Sequence, residues 1–423
     1  MKILILNVHS ALNLGDDAIM QTTLHSLQEA FPGVQITVAA NDPDSWCKYP
    51  DLDTVSSPAR WCARPDLGIW RPYAARMLVQ AGLMLVAATC HRLFGRRLYW
   101  GSPEQRHLLQ AYYEADLVLS CGGGNFYAHR ELSFGLIWAL LTLGFAVLSG
   151  KVVVMLPQSF GPIQGRMQRL LARWTFNGVN LILARESLSA AFLTERLHLK
   201  KKVVVVPDMA FGLASIPAPE CQVASDRTAP FRIGVTIIDR GAQAPDFDGQ
   251  EAYEEALARL LTRLHHAQDA QIHLFCQCYG PSRDQDDRAV VRRLHERIEQ
   301  LGGQAIARSG FIDAREIISA YGDMDLVIGT RMHTGIFALC NRVPVLLIGY
   351  QPKARGIMTS FGLERYWCDI ASVDADTLYA LACELLDRRH EISKQIAAHL
   401  FEAQAELQQW VSSIKVIACR ASA

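Results

Sequence analysis

The sequence predicts an α/β protein built from two Rossmann-like, doubly wound parallel sheets. Three observations carry that prediction. Short apolar runs of strand length alternate with helical periods, first over residues 3–206 and again over 232–348. A polar stretch at 215–230, holding Pro217, Pro219 and Pro230 and no apolar period, separates the two sets. At 423 residues the chain is too long for one ordinary core. The expected domains are therefore 1–214 and 231–423, joined by a linker over 215–230.

In the first half, residues 3–6 read as a strand, 16–31 carry a helical pattern and 35–40 form a second strand. An irregular stretch rich in Pro, Trp and Arg follows, and the insert between Trp46 and Trp100 has no clear place in the alternation. Strands are expected again at 117–120, 152–156, 181–184 and 203–206, mostly with helices between them. Near-continuous apolar runs of this kind suit parallel strands covered on both faces. Two further apolar stretches, 83–90 and 136–148, are expected to be buried core helices. Both fall short of the roughly 20 residues that a bilayer span needs. His91, Arg92, Arg96 and Arg97 follow the first stretch, and anchoring at a membrane interface is the alternative for both.

The second half repeats the alternation. Strands are expected at 232–238, 272–276, 326–328 and 345–348, with helices at 253–266, 286–301 (charged, read as a surface helix) and 313–320. Another helix begins near Arg331, and the tail from Asp374 is expected to be helical as far as the region of Trp410.

Composition narrows the function classes. Forty-two basic residues balance 42 acidic ones, so nothing global points to nucleic acid. Eleven cysteines are an odd count in a long chain, and Cys90, Cys121, Cys340 and Cys383 read as buried thiols of a reducing compartment. Cys276 and Cys278 lack a second pair at zinc-like spacing, and His9, His129 and His273 lack metal-binding partners, so no metal is expected. Ser-His-Asp and P-loop patterns are absent as well. The chain enters a strand at once without a signal-peptide pattern, which makes a cytoplasmic location the expectation.

The most informative stretch runs from Asp325 to Tyr350. A short buried strand ends at Gly329, Thr330 is a good N-cap, and Met332, Ile336, Leu339 and Cys340 recur at helical spacing. Arg331 and His333 then fall in the first turn of a helix that starts where a strand ends. That junction offers backbone N–H groups and a positive dipole end to a phosphate or carboxylate. Arg331 adds a planar, permanently charged fork, and His333 a proton exchangeable near neutral pH. The competing reading pairs Arg331 with a carboxylate and leaves His333 to cap the turn.

Gly329-Thr330-Arg331-Met332-His333, followed by Val343-Pro344, resembles the polysaccharide pyruvyl transferase family. Six further motifs match in the same order: Asn13-Leu14-Gly15-Asp16-Asp17-Ala18, Gly122-Gly123-Gly124-Asn125, Gln158-Ser159-Phe160-Gly161-Pro162, Arg185-Glu186-Ser187, Pro207-Asp208, and Tyr350 with Lys353, Gly356 and Met358. Each is weak alone, but seven in order across residues 1–363 are a strong signal. The resemblance implies the glycosyltransferase-B arrangement, with two Rossmann-like domains facing a cleft. It also implies transfer of the pyruvyl group of phosphoenolpyruvate to a sugar as a ketal, with no separate cofactor.

Under that resemblance, His333 is the expected acid, and Arg331 and Arg185 are the expected anion contacts. Thr330 and Lys353 join them as expected substrate contacts. Asn13, Asp16, Asp17, Gly123, Gly124, Asn125 and Gln158 are the residues expected on the acceptor side. The residues themselves also admit blander roles. Arg185 could pair with Glu186, and Asp16 or Asp17 could simply cap the first helix. The expected acceptor is a sugar of an exopolysaccharide or its lipid-linked precursor; peripheral membrane contact and homo-oligomer formation are compatible with it. The rivals are a nucleotide-sugar glycosyltransferase of the same build and a non-catalytic binding subunit.

Overall fold

The computed structural model describes residues 1–62, 70–215, 230–244, 247–350 and 352–422. Apart from its ends, the expected linker lies outside the described residues. Two compact units result. One comprises Met1–Ala11, Ile19–Met209 and Glu406–Ala423, the other Leu12–Ala18 and Ala210–Ala405.

The first unit is wound around β1 (Lys2–Val8), whose residues from Ile3 onward are buried. It continues through α1 (Leu14–Ala30), β2 (Gln35–Ala40), β3 (Asp53–Ser56), α2 (Trp70–Phe94) and α3 (Pro103–Glu114). Then come β4 (Leu117–Ser120), β5 (Gly123–Ala128), α4 (Phe134–Leu148), β6 (Val153–Ile163), α5 (Arg166–Gly178), β7 (Leu181–Ala184), α6 (Ser187–Ala191) and β8 (Val203–Val205). All strands pair in parallel in the order β3-β2-β1-β4-β6-β7-β8, with β5 attached to β6 alone. The chain therefore switches direction across the sheet between β1 and β4, where open parallel sheets place ligands beyond their carboxyl ends.

Two of these strands have no clear sequence signal. Strand β3 is a short edge strand of Asp, Thr, Val and Ser. Strand β5 begins in the glycine triplet, with Gly123 at φ 121°.

The two apolar helices have different fates. Helix α4 is core: Leu136, Trp138, Leu140, Leu143 and Phe145 are all buried. Helix α2 is 25 residues long, longer than its apolar run suggests. Only one stripe of it is buried, through Met77, Met84, Ala87 and Ala88. That stripe packs on α4, and the Trp138 indole N–H donates to the Tyr73 hydroxyl at 2.9 Å. The expectation of a buried core helix at 83–90 is thus corrected: α2 packs on α4 and touches Trp100 through Gln80 and Tyr113 through His91, while Leu83, Leu85 and Val86 stay exposed among the described residues. Cys121 and Cys340 are buried as expected, whereas Cys90 and Cys383 are only half-buried.

The second unit comprises β9 (Arg232–Thr236), α7 (Arg240–Gln243), α8 (Gln250–Gln268), β10 (Gln271–Phe275), α9 (Asp287–Gln300), β11 (Ala305–Arg308) and α10 (Ala314–Gly322). It continues with β12 (Leu326–Gly329), α11 (Met332–Cys340), β13 (Val345–Gly349), α12 (Pro352–Ser360), β14 (Trp367–Asp369), α13 (Ala375–Asp387) and α14 (Arg389–Ser422). Its six parallel strands run β11-β10-β9-β12-β13-β14, the doubly wound order with its switch point between β9 and β12. Strand β11, with three exposed residues, and the three-residue β14 lie at the sheet edges and lack the apolar runs that marked the others. Helix α14 continues to Ser422, well past Trp410.

The α2 geometry sets up a direct comparison of neighbouring residues. Met84→Ala empties a site packed against α4 and should cost about 2–5 kcal/mol of stability. Leu85→Ala removes an exposed side chain and should stay within about 0.5 kcal/mol. Urea unfolding of the two variants checks this.

Candidate functional site

In the second unit the site is built at the switch point. Strand β12 is buried throughout, and a Cβ on Gly329 would lie within 2.8 Å of two Thr334 atoms. That close approach requires glycine. Thr330 does not cap α11. The N-cap is Arg331, at φ −90° and ψ 140°, with no side-chain capping bond. The Thr330 hydroxyl is instead drawn inward to the Tyr253 hydroxyl and to the Thr236 carbonyl oxygen, 3.4 Å away. Thr334, one turn on, shares a hydrogen bond with Thr236 (2.9 Å) and donates to Gln277 Oε1 at 2.7 Å. These contacts fix α11 relative to β9 and to the loop after β10.

Arg331 finds its counter-charge in Asp287, at the start of α9. Its Nε donates to Oδ2 at 3.1 Å and its Nη2 to Oδ1 at 2.5 Å. Asp287 is buried and also accepts the backbone N–H groups of Gln277 (3.1 Å) and Cys278 (2.9 Å). Burial pushes the Asp287 carboxyl above its ordinary value, against the pull of Arg331 and the two N–H groups. Burial alone would weaken Arg331's hold on its proton, but the adjacent carboxylate outweighs it and fixes the guanidinium in its charged form. The nearby thiols are poor nucleophiles: burial pushes Cys278 up to about 11 and Cys276 up to about 12.

The segment Leu12–Ala18 belongs to this same unit. Asn13 bridges Cys278, and the Leu14 N–H donates to the Gln277 carbonyl at 3.1 Å. Asn13 caps α1 by accepting the Gly15 N–H at 3.1 Å, the role expected of Asp16 or Asp17. Asp17 is buried and accepts the first N–H of α10, that of Ala314, at 3.0 Å, beside the N-cap Asp313. Asp16 is half-buried and accepts from Asn13 Nδ2 at 3.0 Å. Gly15 lies against His333: a Cβ there would come within 2.9 Å of three atoms of the imidazole ring. Phe337, one turn on, also borders the ring, with centroids 6.1 Å apart.

Lys353, half-buried, and Arg355 sit in the first turn of α12, and Arg355 Nε donates to Glu364 at 2.7 Å. Arg240 lies over the Tyr350 ring at 4.6 Å. Of the expected site residues, this unit thus brings together Asn13, Asp16, Asp17, Thr330, Arg331 and His333 around the β12–α11 junction.

The first unit gathers the others around its own switch point. Asn7, at φ 60°, donates through Nδ2 to Ser120 Oγ at 3.2 Å, and Asn125 Nδ2 donates to the Asn7 carbonyl at 2.7 Å. Gly123 and Gly124 open the β5 strand that carries Asn125. Gln158, on β6, is fully buried, and neither atom of its amide has a hydrogen-bond partner among the described residues. The Arg185 guanidinium is enclosed: Nε donates to Ser159 Oγ at 2.7 Å, Nη1 donates to Asp208 at 2.7 Å, and Glu186 lies 3.4 Å from Nε. Among the described residues no group of three His, Cys, Asp or Glu side chains is placed to hold a metal ion.

Sequence reasoning missed Asp287, Gln277, Thr236 and Thr334. Asp287 stands in a charged helix that reads as solvated surface, and the others look like ordinary strand and helix residues. Asp287→Asn leaves the part-buried Arg331 without its counter-charge and should cost about 3 kcal/mol. Replacing Arg331 by Met in the same chain should recover part of that loss, which a urea-unfolding double-mutant cycle measures.

A sequence model described as polysaccharide pyruvyl transferase matches residues 13–352. The amylovoran biosynthesis protein AmsJ of Erwinia amylovora is 25% identical over 421 residues, covering 94% of this chain and 95% of that protein. Among solved structures, the UDP-GlcNAc 2-epimerase of Neisseria meningitidis bound to UDP-GlcNAc superposes with a TM-score of 0.59 at 9% identity, covering 98% of this chain and all of the other. The glycotransferase of kitacinnamycin gives 0.50 at 11% identity, covering 98% of each. These structural likenesses place the two parallel-sheet units in the glycosyltransferase-B fold class and speak to fold alone. With its ordered motifs and a family match that spans most of its length, the chain belongs to the polysaccharide pyruvyl transferase family.

Proposed function

We propose that this protein transfers the pyruvyl group of phosphoenolpyruvate to two hydroxyls of a sugar, as a ketal, in exopolysaccharide biosynthesis. The observation that carries the reading is the placement of His333. It stands in the first turn of α11, beyond the carboxyl end of β12 at the switch point, with its ring held against Gly15. Family membership and the likeness to an amylovoran biosynthesis protein support the exopolysaccharide role.

The chemistry needs a proton donor and an anion hold. In this reading His333 delivers its proton to the terminal methylene carbon, which becomes the methyl group, and positive charge develops at the ester carbon. A sugar hydroxyl adds there and loses its proton. Phosphate then leaves, and a second hydroxyl closes the ring with loss of its own proton. The sum is phosphoenolpyruvate plus a diol giving a ketal plus inorganic phosphate. The opening N–H groups of α11 would hold the phosphate or carboxylate.

Arg331 spends two of its five N–H donors on Asp287, so three are left for an anion. Thr330 is assigned to shaping the junction, and Lys353, in the first turn of α12, to a supporting charge. Asp17 is committed to Ala314, which leaves Asp16 as the carboxylate of that segment for a hydroxyl proton. Asn125 and Gln158 are assigned to sugar hydroxyls. The unpaired Gln158 amide is suited to that, and Gly123 and Gly124 let backbone approach. Arg185 is assigned a positioning role, because its guanidinium already serves Asp208, Ser159 and Glu186.

Phosphoenolpyruvate at about 100 times its dissociation constant should stabilise the protein by roughly 2.7 kcal/mol in a thermal shift. His333→Gln should keep that shift and abolish acceptor-dependent phosphate release. Gly15→Ala, which crowds the imidazole, should cut the release with little change in the shift. Stabilisation by nucleotide sugars and not by phosphoenolpyruvate would replace this reading with a glycosyltransferase.

A further inference from the structure

The uncovered side of α2 is unusual in amount, pattern and charge. Leu78, Val79, Leu85 and Val86 are each more than half exposed, and Leu93 and Phe94 at its end are 67% and 70% exposed. Nine of the exposed large hydrophobic side chains among the described residues fall between Leu78 and Tyr99. Solitary exposed apolar residues need no explanation, but a continuous stripe does.

A second helix extends the surface. Helix α5 packs on the other partner face of α4 and leaves Met167, Leu170 and Trp174 exposed at helical spacing. Between and beside them stand Arg166 and Arg173, also exposed. No Asp or Glu occurs anywhere in α2, α4 or α5. The chain after α2 adds Arg96, Arg97 and Tyr99 before Trp100, and of these Arg97 is drawn toward Glu114 at 3.7 Å.

We propose that the α2–α5 face docks on the surface of an anionic phospholipid bilayer. An apolar stripe bordered by arginines and aromatic rings, on helices that carry no carboxylate of their own, is the composition of an interfacial helix. The length and apolarity of α2 would also allow a span. Its buried Met77, Met84, Ala87 and Ala88 argue otherwise, because they hold the helix axis along α4. The helix lies on the membrane, with its outer side chains in the headgroup region. This inference does not depend on which donor the enzyme uses.

Flotation of the full-length protein with vesicles of phosphatidylcholine, with and without phosphatidylglycerol, tests it. The protein should float with the mixed vesicles, at least ~tenfold more than with phosphatidylcholine alone, and be released by salt. The Leu78→Glu/Val86→Glu variant and, separately, Arg96→Glu/Arg166→Glu should each lower flotation by ~tenfold or more at an unchanged melting temperature. These side chains are exposed, so neither variant should unfold the protein. No flotation of the native protein, or flotation unaltered in both variants, overturns the proposal. So does a native dimer by light scattering that the first variant splits while vesicles stay unbound, since a second copy would then be what covers the face.

Discussion

A buried carboxylate shared four ways holds the β12–α11 junction together. Asp287 takes two hydrogen bonds from Arg331 and two from the backbone of the loop after β10. Neither charge is tolerable alone at that depth, where an unpaired ion costs several kcal/mol. Together they tie the start of α9 and the start of α11 to one loop. The same loop then receives the N-terminal segment, through Asn13 at Cys278 and Leu14 at Gln277. Gly15 reaches the His333 ring by this route. The position of the imidazole therefore depends on a carboxylate that does not touch it.

Strands with continuous apolar runs were legible, because a parallel strand covered on both faces has to be apolar throughout. The switch-point strands β1, β4, β9 and β12 are of this kind, so the frame of both candidate sites could be read directly. The edge strands β3, β11 and β14 could not, since an edge carries polar and exposed residues that mimic loops. Strand β5 was hidden for another reason: it starts in glycines, which locally signal a turn. The ordered motifs placed Arg185, Arg331 and His333 at strand ends, whereas Asn125 and Gln158 lie within β5 and β6. What they could not supply was the identity of each side chain's partner.

The two arginines make that limit concrete. Both follow a short apolar strand, and both invite assignment as anion contacts. Arg185 is enclosed by Asp208, Ser159 and Glu186, with two carboxylates against one guanidinium. Arg331 meets one carboxylate, from a helix that looks like solvated surface in the sequence. The excess of negative charge around Arg185 makes a further anion there unfavourable. The one-to-one pairing at Arg331 leaves donors over beside a helix N-terminus. Partner count is a long-range property, and local sequence does not carry it for either arginine.

The same reasoning applies to the apolar helices. α2 and α4 have similar apolar runs, and local sequence offers no reason to treat them differently. Their places in the layer do differ. α4 is packed by both α2 and α5 and is core, while α2 buries one stripe and leaves its outward side chains exposed among the described residues. Burial of Met77, Met84, Ala87 and Ala88 satisfies what folding asks of α2. Its outward leucines and valines stay largely in water and contribute little to the stability of the chain by itself. A polar outer face would have served the fold equally well. The proposed docking on a bilayer accounts for their apolarity, and the arginines around them match the charge of its surface.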